Sequence, residues 1–125
     1  MIGYTTVWTN KFDEAINFYD NLLWEIWAKK FIEMDRFVAW SKWDKTPGFS
    51  VAKPFNKEAA TIWNGSMIAF ELNSIEEVNR LYNKAIELGW IDDGKPWSRG
   101  NSGFYAWYFR DLDGNKLNFY HVANK

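Results

Sequence analysis

His121 is the only imidazole in this 125-residue chain, so it is the first side chain to weigh as a general base or a metal ligand. It lies in "KLNFYHV", where strand alternation puts Leu117, Phe119 and His121 on one face and Asn118 and Tyr120 on the other. A lone histidine among apolar neighbours reads as a structural or surface imidazole. Without a base in reach no serine becomes a nucleophile, and a chain with no cysteine has neither a thiol nucleophile nor a zinc-thiolate site. Glu71 shares strand parity with Met67 and Ala69 and is the one plausible acid or base on that face. Arg99, in the glycine-bounded "SRGNSGF", has the forked guanidinium that clamps a carboxylate or phosphate, with a solvated loop arginine as the alternative. Lys53 invites the same two readings. "RDLDGN" suggests a calcium loop, but Gly114 comes too early for an EF-hand and no acid closes a twelve-residue loop, so a hairpin turn is the expectation. No glycine-rich phosphate cradle is present.

The elements that must position these residues come in two copies. In "SIEEVNRLYNKAIELGW", Ser74 followed three residues later by Glu77 is a capping box, and Ile75, Val78, Leu81, Tyr82, Ala85 and Leu88 recur at helical spacing. "KFDEAINFYDNLLWEIW" repeats the phrase earlier: Asn10 can cap, and Phe12, Ala15, Tyr19, Leu22, Leu23 and Ile26 form its stripe. Asn10 aligns with Asn73, Glu14 with Glu77, Tyr19 with Tyr82 and Trp27 with Trp90, each sixty-three positions apart. A strand-like run precedes each helix, "GYTTVWTN" and "SMIAFELN". "AKKFIEMD", "RFVAWSK" and "FSVAKPF" follow the first helix. A poorly patterned stretch, "GFYAWYFRD" and "KLNFYHV" follow the second. The pattern is βαβββ twice, with the first strand after the second helix the weakest.

Bulk composition narrows the partners. A net charge of -1, from fifteen basic and sixteen acidic residues, creates no field to gather nucleic acid or an anionic membrane. No basic leader with an apolar run opens the chain and no apolar run reaches about 18 residues, so a cytoplasmic protein is expected. Aromatic residues make up 20% of the chain, nine of them tryptophan, enough for a core, a stacking cleft or an interface.

With "FY" in its first helix, "IAFEL" and "SIEEV" opening its second half and "FRDLDGN" before its last strand, the chain resembles the vicinal oxygen chelate superfamily: glyoxalases, bleomycin-resistance proteins and extradiol dioxygenases. The resemblance covers nearly the whole chain and implies an α+β fold, two tandem βαβββ modules forming a curved mixed sheet around a cleft. It implies one domain over residues 1–125, with module one at 1–53, a crossover at 54–64 and module two at 65–125. Metal-dependent members hold a divalent ion with His, Glu or Gln at four strand positions. In this sequence those positions fall on Tyr4, Met67, Asn118 and, as the repeat mate of Asn118, Ser50. Such a set offers neither imidazole nor carboxylate, so no metal and no cofactor are expected. What the resemblance and strand parity leave as a pocket lining is Tyr4, Thr6, Trp8, Ser50, Ala52, Met67, Ala69, Asn118 and Tyr120, with Glu71 and Arg99 at its margins. The implied function is binding an unidentified small molecule, by a homodimer. The alternatives are a metal-dependent lyase or dioxygenase, and an interaction domain whose lining closes into a filled core.

Tryptophan placement is the remaining oddity. In relatives of this pattern the helix-ending segments read like "LGA" and "LGG", so Trp27 and Trp90 stand where glycine belongs; Trp8, Trp24, Trp63, Trp97 and Trp107 look similar. Glycine is used after helices because it accepts positive φ without a Cβ clash. A UGA codon read as glycine by the host and as tryptophan elsewhere is one account. Against it, eight glycines in 125 residues is already close to an average share of about 7%.

Overall fold

Ala15, Phe18, Tyr19, Leu22 and Leu23, spaced to share one helical face, are the residues that α1 (Phe12–Trp24) buries. In the computed structural model, which describes residues 1–43, 46–62, 64–89, 94–98 and 100–123, that face packs on a four-stranded sheet. The sheet comprises β1 (Tyr4–Trp8), β2 (Lys29–Met34), β3 (Phe37–Ser41) and β4 (Gly48–Ala52) in the order β1-β4-β3-β2. β1 runs parallel to β4, as a strand returning after a helical crossover does; the other two pairings are antiparallel hairpins. Tyr19 packs its ring on Phe49 at 4.8 Å and on Trp40 at 6.2 Å. Burying a leucine such as Leu22 contributes about 2 kcal/mol.

The helix begins one residue later than the cap pattern suggests. Lys11 is the N-cap and has no side-chain cap; the Thr9 hydroxyl accepts from the Lys11 N–H at 2.8 Å. Asn10 is spent elsewhere. Its amide donates to the Ala60 carbonyl at 3.0 Å and its carbonyl accepts from the Ala60 N–H at 2.7 Å, so the side chain pairs with a peptide group fifty residues on. Arg36 likewise donates to the Pro54 carbonyl at 2.7 Å. Residues 54–60 are thereby tied to the unit that spans Met1–Ile62.

A second unit, Trp63–Lys125, repeats the plan with β5 (Ile68–Glu71), α2 (Ile75–Glu87), β6 (Trp97–Ser98), β7 (Phe104–Arg110) and β8 (Lys116–Val122), in the sheet order β5-β8-β7-β6. α2 starts sixty-three residues after α1 and ends sixty-three residues after it, as Phe12 to Ile75 and Trp24 to Glu87. Here the cap is made: Ser74 accepts from the Glu77 N–H at 3.1 Å, and the Glu77 carboxylate accepts from the Asn73 N–H at 2.9 Å. β6 is only two residues long, which is why that stretch of sequence carries so little pattern.

The β7–β8 turn confirms the hairpin reading of "RDLDGN". The Asp111 carboxylate accepts from the Asp113 and Asn115 N–H groups at 3.0 and 2.9 Å and from Asn115 Nδ2 at 2.9 Å, while Gly114 supplies φ +88°. Its oxygens organise a turn. No helix among the described residues is long and apolar enough to cross a membrane.

Candidate functional site

Each sheet has a face covered by its own helix and a face turned away from it, and register decides which residues go where. In the first unit Thr5 pairs with Phe49 and Val7 with Val51, the helix side; Tyr4, Thr6 and Trp8 pair with Gly48, Ser50 and Ala52, the opposite side. Tyr4 meets Phe37 edge-on at 5.7 Å on that helix-free face. In the second unit Tyr82 of α2 packs on Trp107 and Asn79 accepts from the Tyr105 hydroxyl at 2.7 Å, so odd-numbered β7 residues face the helix. Asn118 pairs with Ala69 and Tyr108, and Tyr120 with Glu71 and Ala106, on the opposite face.

Tyr4, Thr6, Trp8 and Ser50 therefore share the helix-free face of the first sheet, and Glu71, Asn118 and Tyr120 that of the second. Met67 immediately precedes β5 and is exposed. Arg99 lies outside the described residues. In the register Ser50 sits opposite Thr6 and Asn118 opposite Ala69, and Thr6 and Ala69 are sixty-three residues apart.

The polar members of this set are already engaged. Ser50, fully buried, donates to the Thr5 carbonyl at 3.0 Å, which leaves Thr6 as the donor in the 2.7 Å contact between the two hydroxyls. Asn118 is 1% exposed and donates from Nδ2 to the Trp107 carbonyl at 3.1 Å. Tyr120 stacks on Phe104 at 5.1 Å, and Lys116 sits 5.6 Å over the Tyr108 ring. Glu71, exposed at the end of β5, is the carboxylate on this face of that strand.

A divalent ion does not fit the four family positions. They offer a phenol, a hydroxyl engaged with both Thr5 and Thr6, an exposed thioether and a buried amide whose Nδ2 donates to a carbonyl, with neither carboxylate nor imidazole among them. Among the described residues no three His, Cys, Asp or Glu side chains form a metal-holding group. His121 faces the helix side as alternation requires, with Nδ1 2.9 Å from the Leu72 carbonyl. Since a carbonyl only accepts, Nδ1 carries the proton.

The helix side of the first unit holds two grooves that the sequence did not announce. One, of about 610 Å³, runs between α1 and β2–β3 and is lined by Asp13, Asp20, Lys30, Glu33 and Asp35 among others. Lys30 bridges Asp20 at 3.8 Å and Glu33 at 3.6 Å there, and Asp20 also accepts from the buried Trp40 Nε1 at 3.0 Å. The other, of about 290 Å³, brings Arg36, Lys53 and Lys57 around Thr9 and Asn10, with Lys53 Nζ 5.1 Å over Phe12. Arg36 comes from a different stretch of chain than Lys53 and Lys57, so no linear charge cluster marked the three. Neither groove is lined by Tyr4, Thr6, Trp8 or Ser50.

Comparison with known proteins completes the picture. The family model described as Glyoxalase/Bleomycin resistance protein/Dioxygenase superfamily matches residues 1–119. A glyoxalase/bleomycin resistance protein from Albidiferax ferrireducens is 26% identical, with a TM-score of 0.86 over 97% of this chain and 98% of that one. A glyoxalase/bleomycin resistance protein/dioxygenase family enzyme from Burkholderia phytofirmans superposes at a TM-score of 0.74 with 15% identity, covering 96% and 97% of the two chains. The fold is shared too by lactoylglutathione lyase from Agrobacterium tumefaciens, at a TM-score of 0.70 and 16% identity over 97% and 92%. No curated protein sequence matches the chain.

Proposed function

Because this chain belongs to the Glyoxalase/Bleomycin resistance protein/Dioxygenase superfamily, we propose that it binds a small organic molecule on its helix-free sheet faces without the aid of a metal ion. One observation carries the reading: the four positions that hold the ion in metal-dependent relatives are Tyr4, Ser50, Met67 and Asn118, with no carboxylate or imidazole among them, and Ser50 and Asn118 are buried and hydrogen-bonded to main-chain carbonyls. Aromatic groups remain for a ligand to touch, Tyr4 and Trp8 on β1 and the Tyr120–Phe104 stack on β8 and β7. Aromatic surface with few polar anchors suits a flat, partly apolar guest. The chain is proposed to work as a cytoplasmic homodimer, with Phe31 and Met34 exposed on the edge strand β2 as candidate contact residues.

The test pairs metal analysis with ligand screening. Protein purified without chelators is expected to carry no stoichiometric manganese, iron, nickel or zinc, and its melting temperature to rise with an aromatic or amphipathic compound. Asn118→Leu is expected to leave the metal content unchanged. Stoichiometric metal that is lost on substituting Asn118 or Tyr4 overturns the reading in favour of a metal-dependent lyase or dioxygenase. Light scattering on the eluting protein decides the dimer.

A further inference from the structure

The two helices end in the same way with different residues. After α1 the Trp27 N–H bonds to the Trp24 carbonyl at 3.0 Å and the Ala28 N–H reaches back to Leu23 at 3.1 Å, the paired bonds of a Schellman ending. That ending turns the residue after the cap left-handed, and Trp27 sits at φ +63°. After α2 the Gly89 N–H makes the corresponding bond to Ile86 at 3.0 Å, with φ +91°. Sequence alignment pairs Trp27 with Trp90, but hydrogen bonding pairs it with Gly89. Glycine takes this conformation freely, whereas a bulky L residue is strained in it. Burial does little to offset the strain, since Trp27 is 66% exposed.

The other tryptophans fall into two kinds. Trp40 is fully buried and its Nε1 reaches Asp20. Trp107, its counterpart on β7, is as deeply buried, yet its Nε1 has no partner, the single buried side-chain polar atom among the described residues in that condition. Trp24, Trp43 and Trp97 are each more than half exposed, against the usual burial of this residue.

We infer that position 27 is glycine in the protein its host makes, encoded by UGA, a codon that the host decodes as glycine and another decoding system as tryptophan. The exposed Trp24, Trp43 and Trp97 belong to the same class, and Trp40 is a true tryptophan encoded by UGG. A cause acting on the codon accounts for one residue type recurring at misfit positions. UGA lies one base from the tryptophan codon UGG and one base from the glycine codon GGA. The eight glycines present do not argue against it. They would be the positions written with ordinary glycine codons, and Gly89, Gly94, Gly100, Gly103 and Gly114 all take positive φ.

The coding DNA and the host's own protein decide the matter. UGA at codon 27 with UGG at codon 40, and tryptic peptides from the host carrying glycine at 27 and tryptophan at 40, are the expected results. UGG at codon 27, or tryptophan at 27 in the host peptide, overturns the inference. In recombinant protein Trp27→Gly is expected to melt higher than the parent and than Trp27→Ala, because only glycine relieves the left-handed backbone. Equal gains from glycine and alanine overturn the backbone argument. None of these measurements involves a ligand, so failure of the binding proposal leaves them readable.

Discussion

Ser50 Oγ lies 2.7 Å from Thr6 Oγ1 and 3.0 Å from the Thr5 carbonyl, so one buried hydroxyl joins the parallel strands β1 and β4 through both of its hydrogen-bonding capacities. This arrangement makes Ser50 structural. Ser50→Ala removes a donor and an acceptor from a fully buried position and is expected to destabilise by about 1 to 2 kcal/mol in urea unfolding. Thr6→Val costs less, because Thr6 is part-exposed and only its own donation is lost. The double variant is expected to fall short of the sum, the coupling that neighbours sharing one hydrogen bond display.

Asp111 accepts three hydrogen bonds inside the β7–β8 turn, two from main-chain N–H groups and one from Asn115. Bonds to a charged acceptor are the stronger kind, and losing them leaves buried donors unpaired. Asp111→Ala is expected to cost about 2 to 3 kcal/mol in denaturant unfolding. Calcium is expected to shift the midpoint of neither protein. A midpoint that rises with calcium in the parent and not in the variant contradicts the turn assignment.

These elements mark where sequence reading succeeds. "KLNFYHV" is β8 residue for residue, because a period of two bounded by a turn leaves little freedom, and the same period divides His121 from Asn118 and Tyr120. The repeat emerges because each copy must bury the same helical stripe. Asn10 escapes such reading. Asparagine before a helical run is a good cap by local rules, but a peptide group at Ala60 takes both ends of its amide. The engagement of Ser50 and Asn118 with carbonyls depends on cross-strand register, and the groove of Arg36, Lys53 and Lys57 on Arg36 and the 53–57 stretch meeting beside Thr9 and Asn10. Neither leaves a local pattern. Arg99 stays outside the described residues.

His121 donates from Nδ1 to the Leu72 carbonyl just beyond β5, and its place on the helix side separates it from Asn118 and Tyr120. His121→Phe keeps the ring's bulk and removes the donor. It is expected to lower stability by about 1 kcal/mol and to leave ligand affinity unchanged, read by thermal unfolding with and without the compound found in screening. A variant that folds normally and no longer binds the compound would return the histidine to the site.

Trp27 at φ +63° gives a measurable magnitude as well as a codon test. A non-glycine residue held left-handed costs about 1 to 2 kcal/mol, and part of that is returned by the entropy glycine loses on folding. Trp27→Gly is therefore expected to gain about 1 kcal/mol, and Gly89→Ala, the reciprocal change at the end of α2, to lose about as much. Chemical unfolding of the two variants beside the parent measures both.

Asn10 holds the Ala60 peptide group through a donor and an acceptor at 3.0 and 2.7 Å on the exposed side of the first unit. Two hydrogen bonds in an exposed setting add little to global stability, yet they act where none of the described residues between β4 and β5 belongs to a helix or strand. Asn10→Ala is expected to shift the global unfolding midpoint by less than about 1 kcal/mol while raising amide exchange at Ala60 and its neighbours by roughly tenfold, the loss of about 1.4 kcal/mol of local protection. Exchange followed by mass spectrometry resolves the peptide covering residues 54–62. Unchanged exchange there would mean that Arg36, donating to Pro54, suffices to hold the segment. Asn10→Asp separates the two bonds: the carboxylate still accepts from the Ala60 N–H but cannot donate to its carbonyl, so its exchange rate is expected to fall between those of the parent and the alanine variant.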